Sequence, residues 1–300
     1  MTIQQLIAKR LRLYARRKVI TTLDGNYESA FRGKGVELDS LRPYVIGDNI
    51  KDIDWKATAR TGQVHTRQYI PLRDQRIVVV ADTSASMLLP SAQRMKKVDA
   101  LYGVVVTLGM FVRKNRDLLA VCARKPNNTI AMSRFKNTNN HIESLLRELD
   151  QSVNTNNKEN QVTMVDLLQH TLHSLKQRSA IFIVSDGIND PTEIKSLLLK
   201  LGIRHQLFFM QIEPTSPFKL SFDEDNQTVD IETGQKMPPE LLQDPKLKKE
   251  WHDSQWAWRK LMEQACKSSG TAYGYIQKAD DVPEVLHQMF ILSRKYAKRH

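Results

Sequence analysis

Ile77-Val78-Val79-Val80-Ala81-Asp82-Thr83-Ser84-Ala85-Ser86 decides the fold. The apolar run carries no polar interruption and reads as a strand buried on both faces. It ends by delivering a carboxylate and two hydroxyls, Asp82, Ser84 and Ser86, onto one tight loop. A hard divalent cation takes oxygen ligands of this kind and keeps some of its waters. A second apolar run, Ala180-Ile181-Phe182-Ile183-Val184-Ser185, ends in Asp186-Gly187. Ligand sites in open α/β sheets lie outside the carboxyl ends of the strands, so both acids are expected at one edge of a parallel sheet.

Working outward, strands and helices alternate from Ile77 onward. The pattern predicts strands at Ile77–Ala81, Leu118–Ala123, Thr129–Met132, Ala180–Ser185, Gln206–Ile212 and Thr271–Ile276. It predicts helices at Arg94–Lys114, Thr138–Leu149, Val165–Gln177, Thr192–Leu201, Pro245–Ser268 and Val282–Ala297. Apolar strands separated by helices give an α/β fold, a mostly parallel sheet with helices on both faces. Thr129–Met132 is expected as a short antiparallel edge strand. An insertion at about 213–245 carries a hairpin pattern, Lys219–Phe222 with Thr228–Ile231. On the helix at Pro245–Ser268, Trp251, Trp258 and Met262 share a face that reads as core packing, with a partner-binding groove as the alternative.

Residues 1–75 read as a separate appendage and 76–300 as the sheet domain. Met1 to about Asp24 is expected to be a basic helix, Gly25 to Arg76 a region of turns and short extended pieces, with a strand over Val64–Ile70. Hydrophobic content of 41% and charge of 26% are ordinary for a soluble globular chain. No apolar stretch reaches the ~20 residues that span a bilayer. Lys9, Arg10, Arg12, Arg16, Arg17 and Lys18 interrupt any signal-peptide segment, so a cytoplasmic location is expected. Cys122 and Cys266 read as buried free thiols. The net charge of +12 is concentrated at the two ends. It fits nucleic acid, an anionic membrane met peripherally by the basic N-terminus, or an acidic protein. No zinc finger, RNA-recognition motif or aromatic-laced basic patch accompanies it, which disfavours nucleic acid.

Asp82-x-Ser84-x-Ser86, a later Thr and then Asp186 resemble the metal-ion-dependent adhesion site of von Willebrand factor A domains. The matching Thr is Thr163, which opens a helix between the two metal strands. The resemblance implies a Rossmann-like von Willebrand factor A fold and an Mg²⁺ (or Mn²⁺) ion. Ser84 and Ser86 would bind the ion directly, Thr163 directly or through water, and Asp82 and Asp186 mostly through water. A partner's carboxylate would take the open position. Upstream, Arg42-x-Tyr44-x-x-Gly47-Asp48, then Ile53-Asp54-Trp55, then Ala59-Arg60 precede the first metal strand. That order is similar to the bacterial family called domain of unknown function 58. The family joins such a motif to a von Willebrand factor A-like domain, and the resemblance implies partnership with a MoxR-type AAA+ ATPase or its client. In the appendage, Tyr44 and Trp55 are expected to anchor it to the sheet domain, and Arg42, Asp48, Asp54 and Arg60 to form an ion-pair lattice.

The same residues admit plainer roles. Ser84 or Ser86 would cap a helix, Thr163 with Asp166 makes a capping-box-like start, and Asp186-Gly187 is an ordinary turn pair. A metal-dependent phosphoryl hydrolase with Asp82 as nucleophile is the enzymatic alternative, and a basic nucleic-acid-associated protein the third. A haloacid-dehalogenase-like phosphatase would want an Asp where Ser84 stands, and no P-loop, H-E-x-x-H or G-x-S-x-G occurs. The sequence therefore favours a non-enzymatic adaptor.

Overall fold

The computed structural model describes residues 27, 37–45, 48, 50, 53–70, 74–155, 162–187, 191–219, 228–229, 236–237, 241 and 243–297. The expected basic helix at 1–24 lies outside them. In chain order the first elements are β1 (Glu37–Pro43), α1 (Trp55–Thr61), β2 (His65–Ile70), β3 (Arg76–Ala81), α2 (Lys97–Asn115), β4 (Leu118–Arg124) and β5 (Ile130–Met132). Then come α3 (Asn139–Asn154), α4 (Met164–Ser174), β6 (Ala180–Ser185), α5 (Pro191–Gly202), β7 (Gln206–Ile212), β8 (Thr228–Val229), β9 (Lys236–Met237), α6 (Pro245–Ser268), β10 (Ala272–Ile276) and α7 (Val282–Ala297).

The main sheet runs β10-β7-β6-β3-β4-β5, parallel throughout except that β5 lies antiparallel on β4. Strand direction and edge strand are as expected. Taken in chain order, β3 and β6 are the first and fourth strands of this sheet, so the winding reverses between them. That is the switch point at which doubly wound sheets place their ligand crevice.

Alternation along β3 explains the two cores. Ile77, Val79 and Ala81 face one side with Phe182, Val184, Phe208 and Met210, under residues of α2, α3 and α7. Val78 and Val80 face the other with Ile181, Ile183 and Phe209, under α4, α5 and α6. On the first side Phe182 and Phe208 stack at 4.4 Å, and Phe290 meets both edge-on. Tyr27 completes this aromatic group, stacked on Phe111 at 5.3 Å with its hydroxyl donating to Asp117 Oδ2 at 2.6 Å. On the second side lie Met262, fully buried, and Cys266, with Trp258 packed against them. Cys122 and Cys266 are free and buried, and burial pushes their thiols up to about 11 and about 12.

Two expectations need correction. Residues 55–61 form a helix rather than turns: the Asp54 carboxylate accepts from the N–H groups of Lys56 and Ala57, and Gly62, at φ +72°, closes the other end. Trp55, at the first position of that helix, is 66% exposed and does not anchor the appendage. In the insertion, β8 pairs antiparallel with β9. Pro217–Lys219 is a 3₁₀ turn, as suits a residue with fixed φ and no N–H, and 220–222 lie outside the described residues.

The α7–β10 contact is tight because Gly274 has no side chain. A Cβ there would lie 2.5 Å from Met289 Sδ and 2.6 Å from Val285 Cγ1. Gly274→Ala should therefore destabilise the fold by about 1–3 kcal/mol through overpacking, measured by urea denaturation. Unchanged stability would mean that α7 moves freely on the sheet.

Candidate metal centre at the carboxyl edge of the sheet

The β3–β6 register builds the site. Val80 pairs with Ile183 and Ala81 with Val184, and the Asp82 N–H extends the ladder by donating to the Val184 carbonyl at 3.0 Å. Asp82 and Asp186 thus leave adjacent strands within one residue of each other's level. Ser84, Ser86 and Met87 follow on a short 3₁₀ turn, and the fully buried Met87 side chain pins it to the core.

Four of the predicted residues form one hydrogen-bonded chain. Asp82 Oδ1 accepts from the Ser84 N–H at 2.9 Å, and Asp82 Oδ2 accepts from the Ser185 hydroxyl at 2.6 Å. Ser84 Oγ and Ser86 Oγ share a hydrogen bond of 2.9 Å, and Ser86 Oγ donates to Asp186 Oδ1 at 3.1 Å. Asp82 and Asp186 are both buried. Burial, then the nearby Asp186 charge, pushes the Asp82 carboxyl up to about 6, against the hydrogen bonds from Ser185 and Ser84. Thr163 is not a member of this hydrogen-bonded chain. Its hydroxyl donates to Asp166 Oδ2 at 2.7 Å and accepts from the Asp166 N–H, the capping box anticipated as its plainer role.

Lys97 belongs to the cluster and escaped the sequence reading. Only 1% exposed, its Nζ donates to Asp186 Oδ2 at 2.6 Å and to the Ser86 carbonyl at 3.2 Å. The helix expected from Arg94 begins at Lys97, which places this lysine at its first position. A lysine in the first turn of a helix opposes the helix dipole, and that mismatch was the available signal. The loop before it is fixed from the far side: Gln93 N–H donates to Glu213 Oε2 at 3.1 Å and Ala92 N–H to the Pro214 carbonyl at 3.0 Å. Arg124, buried at the end of β4, donates from Nη2 to the Thr83 and Ser152 carbonyls, tying the Asp82 loop to α3.

The donor set suits a hard cation. Asp82, Ser84, Ser86 and Asp186 offer only oxygen, and two buried carboxylates held together gain from a positive charge between them. Among the described residues no group of three or more His, Cys, Asp or Glu side chains gathers to hold a metal, so hydroxyls must complete any coordination.

The raised Asp82 carboxyl has a pH signature. Its folded pKa of about 6 exceeds the ordinary 3.8, so the stability it contributes is full below about pH 4 and lost as pH rises through about 6. In chelator, wild-type stability relative to Asp82→Asn should fall as the pH rises from about 4 to about 7. Urea denaturation at several pH values reads this directly, and a flat difference would mean that the carboxylate is already compensated.

Among curated proteins, the chain is 36% identical over 77 residues to the uncharacterized protein Rv1480 of Mycobacterium tuberculosis (strain ATCC 25618 / H37Rv) and equally to the uncharacterized protein Mb1516 of Mycobacterium bovis. These matches span 26% of this chain and 24% of the relatives' length. Similar solved structures include the conserved hypothetical protein BatB from Bacteroides thetaiotaomicron, at 13% identity and TM-score 0.43 over 75% of this chain and 99% of that one. Another is a von Willebrand factor type A structure from Catenulispora acidiphila, at 11% identity and TM-score 0.42 over 77% and 45%. The family model described as "Protein of unknown function DUF58" matches residues 40–259, and the chain belongs to that family.

Proposed function

We propose that this protein is a non-enzymatic adaptor that captures a partner protein's carboxylate through a divalent cation, Mg²⁺ or Mn²⁺. The observation that carries the reading is the hydrogen-bonded chain from Asp82 through Ser84 and Ser86 to Asp186 at the switch point of the sheet. These four residues would hold the ion. Thr163 would join them from the start of α4 by exchanging its capping bond to Asp166. The bound cation supplies a Lewis-acidic position for an anionic side chain. The chain's own residues orient the ligands: Ser185 and the Ser84 N–H fix both Asp82 oxygens, and Arg124 holds the loop between them and α3.

A MoxR-type AAA+ ATPase or its client is the proposed partner, and the family resemblance alone supports that choice. The proposed setting is cytoplasmic. Among the described residues no helix is long and apolar enough to cross a membrane.

Calorimetric titration with Mg²⁺ and Mn²⁺ tests the site, with Asp82→Ala as control. Wild type should bind and the variant should not. Pull-down of a co-expressed AAA+ ATPase should fail in EDTA and with Asp82→Ala, while surviving moderate salt. Capture that ignores EDTA and collapses steeply with salt would favour the basic, nucleic-acid-like reading instead.

A further inference from the structure

Lys97 is a charged member of the cluster to which the adaptor reading gives no task. Its side chain runs from the first residue of α2 into a site where it is 1% exposed, and its ammonium sits between Asp186 Oδ2 and the Ser86 carbonyl. Both contacts fall on residues that would hold the ion. The helix dipole repels a cation at this end, so the placement is maintained by Asp186 and the Ser86 carbonyl, not by the helix.

We propose that Lys97 is an internal counter-cation that competes with the divalent metal for Asp186, an inference that rests on the metal-binding reading of the site. In the metal-free protein the ammonium neutralises Asp186 directly, while among the described residues Asp82 accepts hydrogen bonds from Ser84 and Ser185 and is attracted by the Arg124 charge without an ion-pair contact. An entering cation needs both carboxylates. Every gain it makes at Asp186 weakens a buried ion pair, and two cations sharing one set of oxygens repel each other. Lys97 therefore lowers the affinity for metal alone. It also makes occupancy depend on added negative charge, which the carboxylate of an acidic partner segment supplies. Metal and partner then reinforce each other, each binding more tightly when the other is present.

The probe is Mg²⁺ alone, titrated calorimetrically into full-length wild type, Lys97→Met and the double variant Lys97→Met with Asp186→Asn, with thermal unfolding followed in EDTA and in Mg²⁺. Lys97→Met should bind Mg²⁺ at least about tenfold more tightly than wild type, the scale of removing a like charge from a partly screened site. In EDTA its unfolding midpoint should drop below that of wild type, because Asp186 is left buried without a counter-charge, and Mg²⁺ should restore it. The double variant should be stable in EDTA and indifferent to Mg²⁺. Wild type and Lys97→Met binding with equal affinity would overturn the role of Lys97 and leave the metal site standing. Failure of Lys97→Met to fold in saturating Mg²⁺ would overturn it too, and binding by neither protein would remove the metal reading together with the proposal.

Discussion

Two carboxylates leave adjacent parallel strands at nearly the same level, and the site is arranged around that repulsion. The β3–β6 pairing cannot slip to relieve it, because a shift of one residue would turn Val79 and Phe182 out of one core and Val80 and Ile183 out of the other. The charges must be answered locally instead. Asp82 is answered by an N–H and a hydroxyl, and Asp186 by a hydroxyl and an ammonium. Burial, then the neighbouring Asp186 charge, pushes the Asp82 carboxyl up to about 6 in spite of its hydrogen bonds.

The ammonium is delivered by a third strand end. Glu213 and Pro214, just past β7, hold the backbone of Gln93 and Ala92, and Arg94 turns at φ +60° so that α2 can begin at Lys97. A non-glycine residue in that conformation costs about 1–2 kcal/mol, so the loop is held by its anchors. The ends of β3, β6 and β7 thus cooperate on one cluster. Removing one partner of a buried ion pair such as Lys97–Asp186 typically costs about 3–5 kcal/mol. Position and charge are therefore coupled here.

The strands were legible because four of them are apolar runs buried on both faces, and both Ala180–Ser185 and Gln206–Ile212 form over the predicted residues. The long helices were legible from their periodicity, and Pro245–Ser268 carries its own signals, Asp244 as cap and Pro245 in the first turn. Asp82, Ser84, Ser86 and Asp186 could be read because strand ends fix where a carboxylate goes. Lys97 could not, since a lysine in a basic cluster reads as solvated until the burial of its stem is known. Helix α1 was missed because seven residues carry too little periodicity to register, although Asp54 and Gly62 mark both of its ends.

The upstream motif divides by chemistry in a way its spacing does not reveal. Its polar members serve the local chain: Asp48 accepts from Arg42 at 2.7 Å and from the Val45 N–H at 3.0 Å, and Asp54 caps α1. The expected four-residue lattice is thus reduced, among the described residues, to the Arg42–Asp48 pair, because Asp54 gives its carboxylate to backbone N–H groups. Of its apolar members, Trp55 is 66% exposed, whereas Ile53 is buried at 9%. Fixed spacing in this segment therefore reflects turn closure and helix capping, which bind residue type to position tightly. Burial adds a demand at Ile53 but none at Trp55. Among the described residues of this part of the chain, Tyr27 reaches the main core, through Phe111, Phe290 and Asp117.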